Sequence, residues 1–298
     1  MPHEYDAAIL DAAYERFHDT GPEFEGWLSN HGPMASDALI RLGRADAVEG
    51  WVHGYATRLE EVPRPRRGIG DEWRQSLGDV SRLGDWLDHF ARETQELDWR
   101  DLLATWWPRL LPGASAAATH GLIRTGHAVR ALLEVENPLR VDELAQALGY
   151  WAARWVPLPG ALAPHGQLTP GSALEETPAT GVPGDFRTRI AALAATPAWP
   201  EAAAALQPVP DFIDIPAAFD ALTDAAVDHY LRWGHGDPIM MVHAATAPRA
   251  ASLVLPAIPR ALWVRTYDMV WATAAAIASM YRPRSPFAGA LTAHASTR

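Results

Sequence analysis

Apolar side chains recur at three- and four-residue spacing along most of the chain, which is the pattern of amphipathic helices. In segment 5–18, for example, Ile9, Ala13 and Phe17 would share one side of a helix. Runs in which Val, Ile or Tyr alternates strictly with polar residues are missing, so strands should be few or absent. We therefore predict an all-α fold of ten or more helices. The predicted helices cover 5–18, 34–40, 46–61, 99–111, 114–133, 140–156, 199–206, 216–233, 239–255 and 259–281, and two more begin near residues 81 and 186.

Two segments lack this periodicity. Segment 157–184 is rich in Pro, Gly, Thr and Ala, which predicts a long loop inserted between helices. Segment 282–298 has little hydrophobic pattern and is expected to form a loosely packed tail. Apart from these, nothing marks a boundary, so the sequence predicts a single helical domain over residues 1–298.

The predicted helix 114–133 is almost wholly apolar, yet it contains two histidines and two arginines. Ser115 is a plausible N-cap, and alanine and leucine, both good helix formers, dominate the segment. Most faces of such a helix should be buried, so its polar groups need partners inside the protein. His120 and His127 fall on one face, roughly 10.5 Å apart along the axis. Both can line one pocket, but that spacing makes joint binding of one ion harder.

Composition narrows the classes of function. The net charge of −11 argues against a nucleic-acid partner, because there is no basic surplus to neutralise phosphates. The chain has no cysteine and no lysine, which excludes thiolate, disulfide and Schiff-base chemistry. It opens without a signal-peptide pattern and contains no apolar window of membrane-spanning length, so no membrane partner is expected. A cytoplasmic location is the resulting expectation.

Histidines are the principal candidates for chemistry. His31 stands in a turn just before a helix, where it can bind a metal or simply brace the turn. His243 lies in an apolar helix, where an unpaired imidazole is unfavourable, so it is either a ligand or a satisfied core histidine. The same two interpretations stand for His120 and His127. No dinucleotide fingerprint, nucleophile elbow or His-Glu-x-x-His motif occurs in the sequence.

Aromatic and arginine side chains are the other candidates. Thirteen tryptophans are many for a chain of this length, and most should be core residues. Some, including Trp106, Trp107 and Trp151, can instead wall an aromatic pocket by offset stacking. Arg124 and Arg130 are either paired inside the protein with Asp or Glu, or directed at an anionic or phenolate ligand.

Four short stretches together resemble the questin oxidase-like family, over about residues 5–281. They are Asn-His-Gly-Pro-Met-Ala at 30–35, Ala-Thr-His-Gly-Leu-Ile-Arg-Thr-Gly-His-Ala at 118–128, Tyr-Trp-Ala-Ala-Arg-Trp at 150–155, and Val-His-Ala-Ala-Thr-Ala-Pro at 242–248. The resemblance implies an all-helical enzyme that uses molecular oxygen to open the quinone ring of an anthraquinone. Members of that family are described as Baeyer–Villiger-type oxidases that need reduced nicotinamide (NADPH), and also as mononuclear non-haem iron oxygenases.

The resemblance also assigns residues. His31, His120 and His243 match histidines that hold the metal, and His127 matches similar bacterial chains. On chemical grounds, Arg124 is a candidate catalytic residue that would stabilise a phenolate or enolate, and His127 is a second catalytic candidate. A flat aromatic substrate would lie against a set of aromatic side chains, namely Trp106, Trp107, Tyr150 and Trp151.

This sequence departs from the pattern of the family at its end. Similar chains continue into an Asp-Glu-His-x-x-Lys segment, which is expected to be missing here, with His294 a possible replacement for its histidine. A carboxylated-lysine ligand cannot form, because the chain contains no lysine.

The leading hypothesis from the sequence is an iron(II) oxygenase that acts on a small aromatic polyketide. Three neutral imidazoles suit a divalent iron with open positions for oxygen and substrate. The alternatives are an inactive paralogue or binding protein for a flat aromatic ligand, and a zinc hydrolase that uses the same histidines. Metal analysis of the purified protein would separate these hypotheses.

Overall fold

The computed structural model of the chain describes residues 3–287. Helices account for most of this part, interrupted by one pair of very short strands. The α-helices in chain order are α1 (His3–His18), α2 (Gly32–Arg41), α3 (Ala45–Ala56), α4 (Leu83–Glu96), α5 (Trp99–Leu110), α6 (His120–Glu134), α7 (Pro138–Arg154), α8 (Pro170–Glu175), α9 (Phe186–Ala194), α10 (Trp199–Ala204), α11 (Ile215–Trp233), α12 (Pro238–Met241), α13 (His243–Val254) and α14 (Trp263–Tyr281).

The all-α prediction is confirmed. Within residues 3–287, β-structure is limited to a two-residue antiparallel pair, β1 (Glu23–Phe24) with β2 (Leu28–Ser29), and one isolated bridge from Leu168 to Leu206. None of the helices in the described part is both long and apolar enough to cross a membrane.

The chain divides into two compact units. The first consists of Met1–Pro157 with Ala250–Thr266, and the second of Leu158–Arg249 with Tyr267–Arg298. The boundary after Pro157 coincides with the start of the segment predicted to be an insertion. Helices α13 and α14 each contribute residues to both units.

The core of the first unit forms where α6 and α4 pack on α7, with α1, α2 and α3 packed on one another. Glycines permit the close approach of these helices. A Cβ at Gly121 of α6 would lie 2.6 Å from the Cβ of Trp151 in α7, and one at Gly149 would lie 3.1 Å from the Cα of Leu87 in α4. A larger residue at either position would push the helices apart, so the glycines set the interhelical distance.

The second unit packs α8 against α11 and uses indole nitrogens to tie its helices together. The indole of Trp271 donates to the carbonyl of Ala203 at 2.7 Å, and that of Trp199 donates to Pro159 at 2.8 Å. The ring of Phe219 in α11 meets Tyr267 in α14 edge to face. These pairs bury large aromatic surfaces and also satisfy their polar atoms.

Both segments predicted to lack structure are partly ordered, so these predictions are wrong in part. Segment 157–184 contains α8, whose N-cap Thr169 accepts a hydrogen bond from the backbone of Ser172. In the tail, the Arg282 guanidinium donates to the carbonyls of Glu175 and Thr177 at 2.7 and 2.6 Å. Residues 288–298, and with them His294, lie outside the described part.

The structure also corrects several of the predicted helix boundaries. The helix predicted from residue 114 begins only at His120, and Ser115 makes no side-chain cap. The helix predicted to begin near residue 81 starts at Leu83, after a short 3-10 turn (Val80–Arg82) whose backbone N–H at Ser81 donates to the carboxylate of Asp79. The helix predicted over 239–255 is two helices, separated at Val242.

Candidate functional site

Two of the three predicted ligand histidines meet in the first unit. His31 lies immediately before α2 and His120 is the first residue of α6, yet their Nε2 atoms are 2.8 Å apart. Their ring planes are nearly perpendicular, at 88°. The proximity that the sequence resemblance predicted for this pair is therefore present.

The backbone before α6 is unusual. Ala117, Ala118 and Thr119 have φ angles of +48°, +52° and +70°, in the left-handed region that L-residues with a Cβ rarely adopt. This turn places the carbonyl oxygen of Ala117 2.5 Å from Nδ1 of His120. Since a carbonyl can only accept, Nδ1 carries the proton, and in the neutral ring Nε2 carries a lone pair directed at His31.

The turn that carries His31 is fixed by its neighbours. Its backbone N–H donates to the hydroxyl of Tyr55 at 2.9 Å, and the side chain of Asn30 accepts from the backbone of Gly32 at 2.8 Å. A Cβ at Gly32 would lie 2.4 Å from the ring of Phe17, so only glycine fits at this position. His31 is exposed in part. Desolvation nevertheless lowers the pKa of its imidazole, and a hydrogen bond with the Ser29 backbone opposes this effect by raising that pKa.

The pair fits two kinds of chemistry. One imidazole can donate to the other, which gives a simple hydrogen bond at 2.8 Å. Alternatively, both lone pairs can face one divalent ion, because adjacent nitrogen ligands at about 2.0–2.1 Å from an ion are about 3 Å apart. Within residues 3–287, no group of three or more His, Asp or Glu is arranged to hold a metal, so the described pair alone offers an incomplete ligand set.

His243 begins α13 and belongs to the second unit. Its Nδ1 lies 2.7 Å from the carbonyl oxygen of Ile239, one helical turn earlier. As in His120, this contact places the proton on Nδ1 and makes Nε2 the lone-pair nitrogen of a neutral ring. The role of His243 as a third ligand stays a prediction.

His127 belongs to a charge cluster on Asp37. Its Nδ1 is 2.7 Å from one carboxylate oxygen of Asp37, and Arg130 bonds the same oxygen. Arg41 donates to the other oxygen at 2.9 Å. Burial raises the pKa of Asp37, but the hydrogen bonds and charges of His127 and Arg130 outweigh burial and lower that pKa to about 2. His127 thus joins α6 to α2.

Arg124 is paired inside the protein. Its Nε and Nη2 donate to the two oxygens of Glu143 at 2.6 and 2.7 Å, and both side chains are buried. His18 lies 3.1 Å from the same carboxylate. Burial would raise the pKa of Glu143, but the Arg124 charge and hydrogen bond lower it instead. Of the two alternatives for Arg124, the structure shows the internal pair.

The aromatic side chains predicted to contact a substrate are all buried. The indole of Trp107 donates to Thr266, and that of Trp151 donates to the carbonyl of Gly113, both at 2.9 Å. The hydroxyl of Tyr150 lies 2.6 Å from that of Ser29. Trp106 differs, since it borders a surface cavity. Packing accounts for Trp107, Trp151 and Tyr150 in this structure, and their contact with a substrate stays a prediction.

Four important groups were missed by the sequence analysis. Asp37 and Arg41 have the four-residue spacing of a helical ion pair, which is a usable signal. Glu143 offers no such signal, because it pairs with Arg124 across two helices. The Ala117 carbonyl could not be found either, because alanine gives no indication of left-handed backbone.

Comparisons with known proteins leave the family open. The questin oxidase-like resemblance is carried by four short stretches of residues. The chain matches no family model and no curated protein sequence.

Proposed function

We propose that this chain is an iron(II)-dependent oxygenase that oxidises a flat aromatic, quinone-like substrate, with His31 and His120 as two of its metal ligands. The observation that carries the proposal is the 2.8 Å approach of their Nε2 atoms, with Nδ1 of His120 held by a backbone carbonyl. A backbone contact that fixes the tautomer is the usual support of a metal-binding imidazole. The iron assignment, as opposed to zinc, comes from the resemblance to the questin oxidase-like family.

Each residue then has a role that its contacts support. His31 and His120 present lone pairs to the ion, and the resemblance adds His243 as a third ligand. Iron bound there would supply the redox chemistry that lets molecular oxygen react with the substrate. Arg124 and His127 are positioning residues, because their bonds to Glu143 and Asp37 hold α6, the helix that begins with His120.

The substrate class rests on the resemblance and on the aromatic content of the first unit. An anthraquinone or related aromatic polyketide is flat and apolar, with phenolic oxygens, and it would stack on indole rings such as those of Trp106 and Trp107. Molecular oxygen is the co-substrate. NADPH is proposed as the electron donor if the oxidation follows the Baeyer–Villiger course.

Metal binding gives the first test. Untagged protein is titrated anaerobically with Fe(II), and the bound metal is measured by elemental analysis. We expect one iron per chain, with affinity reduced at least about tenfold in His31→Ala and in His120→Ala. His53→Ala is the matched control, because His53 is exposed on α3 and outside the pair. His243→Ala tests the third ligand separately.

Activity gives the second test. Oxygen consumption is followed with a hydroxylated anthraquinone, with and without NADPH, in the wild-type protein and in the same variants. Consumption that depends on substrate and iron supports the proposal. Tight zinc binding without oxygen consumption would favour a hydrolase. Binding of the anthraquinone without any bound metal would favour the binding protein and make the His31–His120 contact a plain hydrogen bond.

A further inference from the structure

An exposed tryptophan lies at the tip of the β1–β2 hairpin, close to the histidine pair. All thirteen tryptophans fall within the described part of the chain, and only Trp27 is exposed, at 67%. Its indole makes neither a hydrogen bond nor a ring contact with the described residues. Such a ring keeps a large apolar face in water, so Trp27 is accessible to a ligand without any rearrangement of the protein.

The hairpin that carries Trp27 is held in place by its neighbours. The backbone N–H of Gly26 donates to the carboxylate of Glu60 at 2.7 Å. Arg154 donates two hydrogen bonds to the carboxylate of Glu23, both at 2.6 Å. A ligand that binds to a fixed side of the protein pays little for ordering it, so the hairpin is suited to binding.

The same hairpin contacts the histidine pair. A hydrogen bond joins the His31 imidazole to the backbone of Ser29, the last residue of β2. Trp27 lies two residues before Ser29, so the Cα atoms of these two residues are at most about 7 Å apart. His31 is the exposed member of the pair and His120 is only 9% exposed, so a molecule from solvent reaches the pair on the His31 side. A planar three-ring molecule is long enough to cover the Trp27 indole and extend towards His31.

We propose that Trp27 is the residue on which the aromatic substrate stacks at the entrance to the His31–His120 pair. This inference rests on the proposed function, because that function supplies the flat aromatic substrate. Stacking on an indole is favourable for any planar π-system, and it needs no particular substituent on the ring. Trp107 and Trp151 are 0% exposed, so a substrate could stack on either of them only if the core opened.

The hairpin tip fits a small ligand better than a protein partner. The two residues before Trp27 are Glu25, whose side chain is charged, and Gly26, which has no side chain. The tip therefore offers one apolar ring rather than a broad apolar patch. A stable protein interface buries about 800 Å² on each partner, which a single indole does not supply.

Binding of anthraquinone sulfonate to the full-length protein tests the proposal without any need for turnover. The indole N–H of Trp27 is followed by NMR in protein labelled with ¹⁵N-tryptophan, and its signal is assigned by its loss in Trp27→Phe. We expect a saturable shift of this signal in the wild type, and binding at least about tenfold weaker in Trp27→Ala. Trp27→Phe keeps an aromatic face, so its affinity should lie between those of the wild type and Trp27→Ala.

Leu42→Ala is the matched control, because it also removes an exposed apolar side chain from the first unit. Leu42 is 76% exposed and follows the last turn of α2, about 15 Å from the start of that helix beside His31, so its replacement should leave binding unchanged. Circular dichroism verifies that each variant is folded.

Oxygen consumption with a hydroxylated anthraquinone gives a second measurement. Trp27→Ala should raise KM and leave kcat close to that of the wild type, because stacking on Trp27 contributes to binding rather than to the reaction. A shift of the Trp27 signal without any oxygen consumption would contradict the oxygenase and still support Trp27 as the contact of a flat aromatic ligand. The proposal is overturned if the Trp27 signal does not shift, if Trp27→Ala binds the quinone like the wild type, or if Trp27→Ala changes only the oligomeric state in sedimentation.

Discussion

Glu143 is a buried carboxylate whose negative charge is matched by a single guanidinium. It is 1% exposed, and Arg124 contributes two hydrogen bonds to it while His18 contributes a third contact. A buried ion pair of this kind adds little net stability compared with apolar residues, but removal of one partner leaves an uncompensated charge in the protein interior. The pair therefore constrains which residues α6 and α7 can carry at these positions.

Replacement of Glu143 tests this constraint. In Glu143→Gln, Arg124 keeps its charge but loses its counterion, so we expect the free energy of unfolding to fall by about 3–5 kcal/mol. Glu136→Gln is the control, because the pair of Glu136 with Arg100 is exposed and its loss should leave that free energy nearly unchanged. Urea unfolding followed by circular dichroism measures both. Equal effects of the two substitutions would contradict the structural role of Arg124.

For individual residues, the sequence showed which side chains need an interaction partner, but it did not show which residue the partner is. It left Arg124 between an internal pair and a ligand contact, and only the structure shows the pair with Glu143. The two residues lie on different helices and His18 lies on a third, so no periodicity relates them. Ion pairs between distant segments depend on tertiary packing, which a single sequence does not display.

At the scale of elements, the start of α6 is where local preference and tertiary structure disagree. Residues 114–119 are mostly alanine, which has the highest helix propensity, and they were predicted to be helical. In the structure, Ala117, Ala118 and Thr119 are left-handed instead. The hydrogen bond of His120 to Ala117 is a local contact within this turn, and the close contact of Gly121 with Trp151 is a tertiary feature beside it. Such strain often accompanies functional sites.

The strain can be relieved by glycine, which adopts positive φ without a Cβ penalty. We expect Ala118→Gly to raise the free energy of unfolding by up to about 1 kcal/mol. Glycine removes the steric cost of left-handed backbone in the folded state, but it also raises the conformational entropy of the unfolded chain, which cancels part of that gain. Ala91→Gly is the control, because Ala91 is solvent-exposed in the middle of helix α4. This substitution should lower the free energy of unfolding by about 1 kcal/mol. Both are measured by urea unfolding. A loss in Ala118→Gly as large as that in Ala91→Gly would be inconsistent with left-handed backbone at this residue.

For the molecule as a whole, the fold class was predictable from hydrophobic spacing because most helices carry a clear apolar side. The predicted segments 99–111 and 216–233 differ from α5 and α11 by a residue at each end at most. Hydrophobic spacing did not predict that His31 and His120 lie next to each other. It was predicted only from the resemblance to a family, since the two residues are 89 positions apart.

Two histidines, one in each unit, should make the stability of the whole chain sensitive to acid. Burial and the charge of Arg92 lower the pKa of His89 to about 4, against the opposing charge of Asp88. Burial also lowers the pKa of His229 to about 4, against the opposing effect of Glu175. In each case the fold favours the neutral imidazole.

The sign of the effect follows from the difference between the folded and unfolded pKa values. Each histidine has a folded pKa of about 4, below the ordinary value of 6.5, so the unfolded chain binds more protons between these limits. The stability that each contributes is fully present above pH 6.5 and is lost as pH falls through 4. Because His89 is only half-buried and the nearby Glu175 carboxylate favours the charged form of His229, we expect a loss of about 1–2 kcal/mol for each.

Substitution of both histidines should flatten this dependence. We expect the free energy of unfolding of His89→Gln/His229→Gln to change less than that of the wild type between pH 7 and pH 4.5, because glutamine does not titrate there. His53→Gln, at an exposed position of α3, should keep the wild-type dependence. Urea unfolding at a series of pH values, followed by circular dichroism, provides the measurement. If the double variant loses as much stability in acid as the wild type, other titratable groups cause the acid sensitivity. Protonation of His89 and His229 would then not be the cause of the loss of stability.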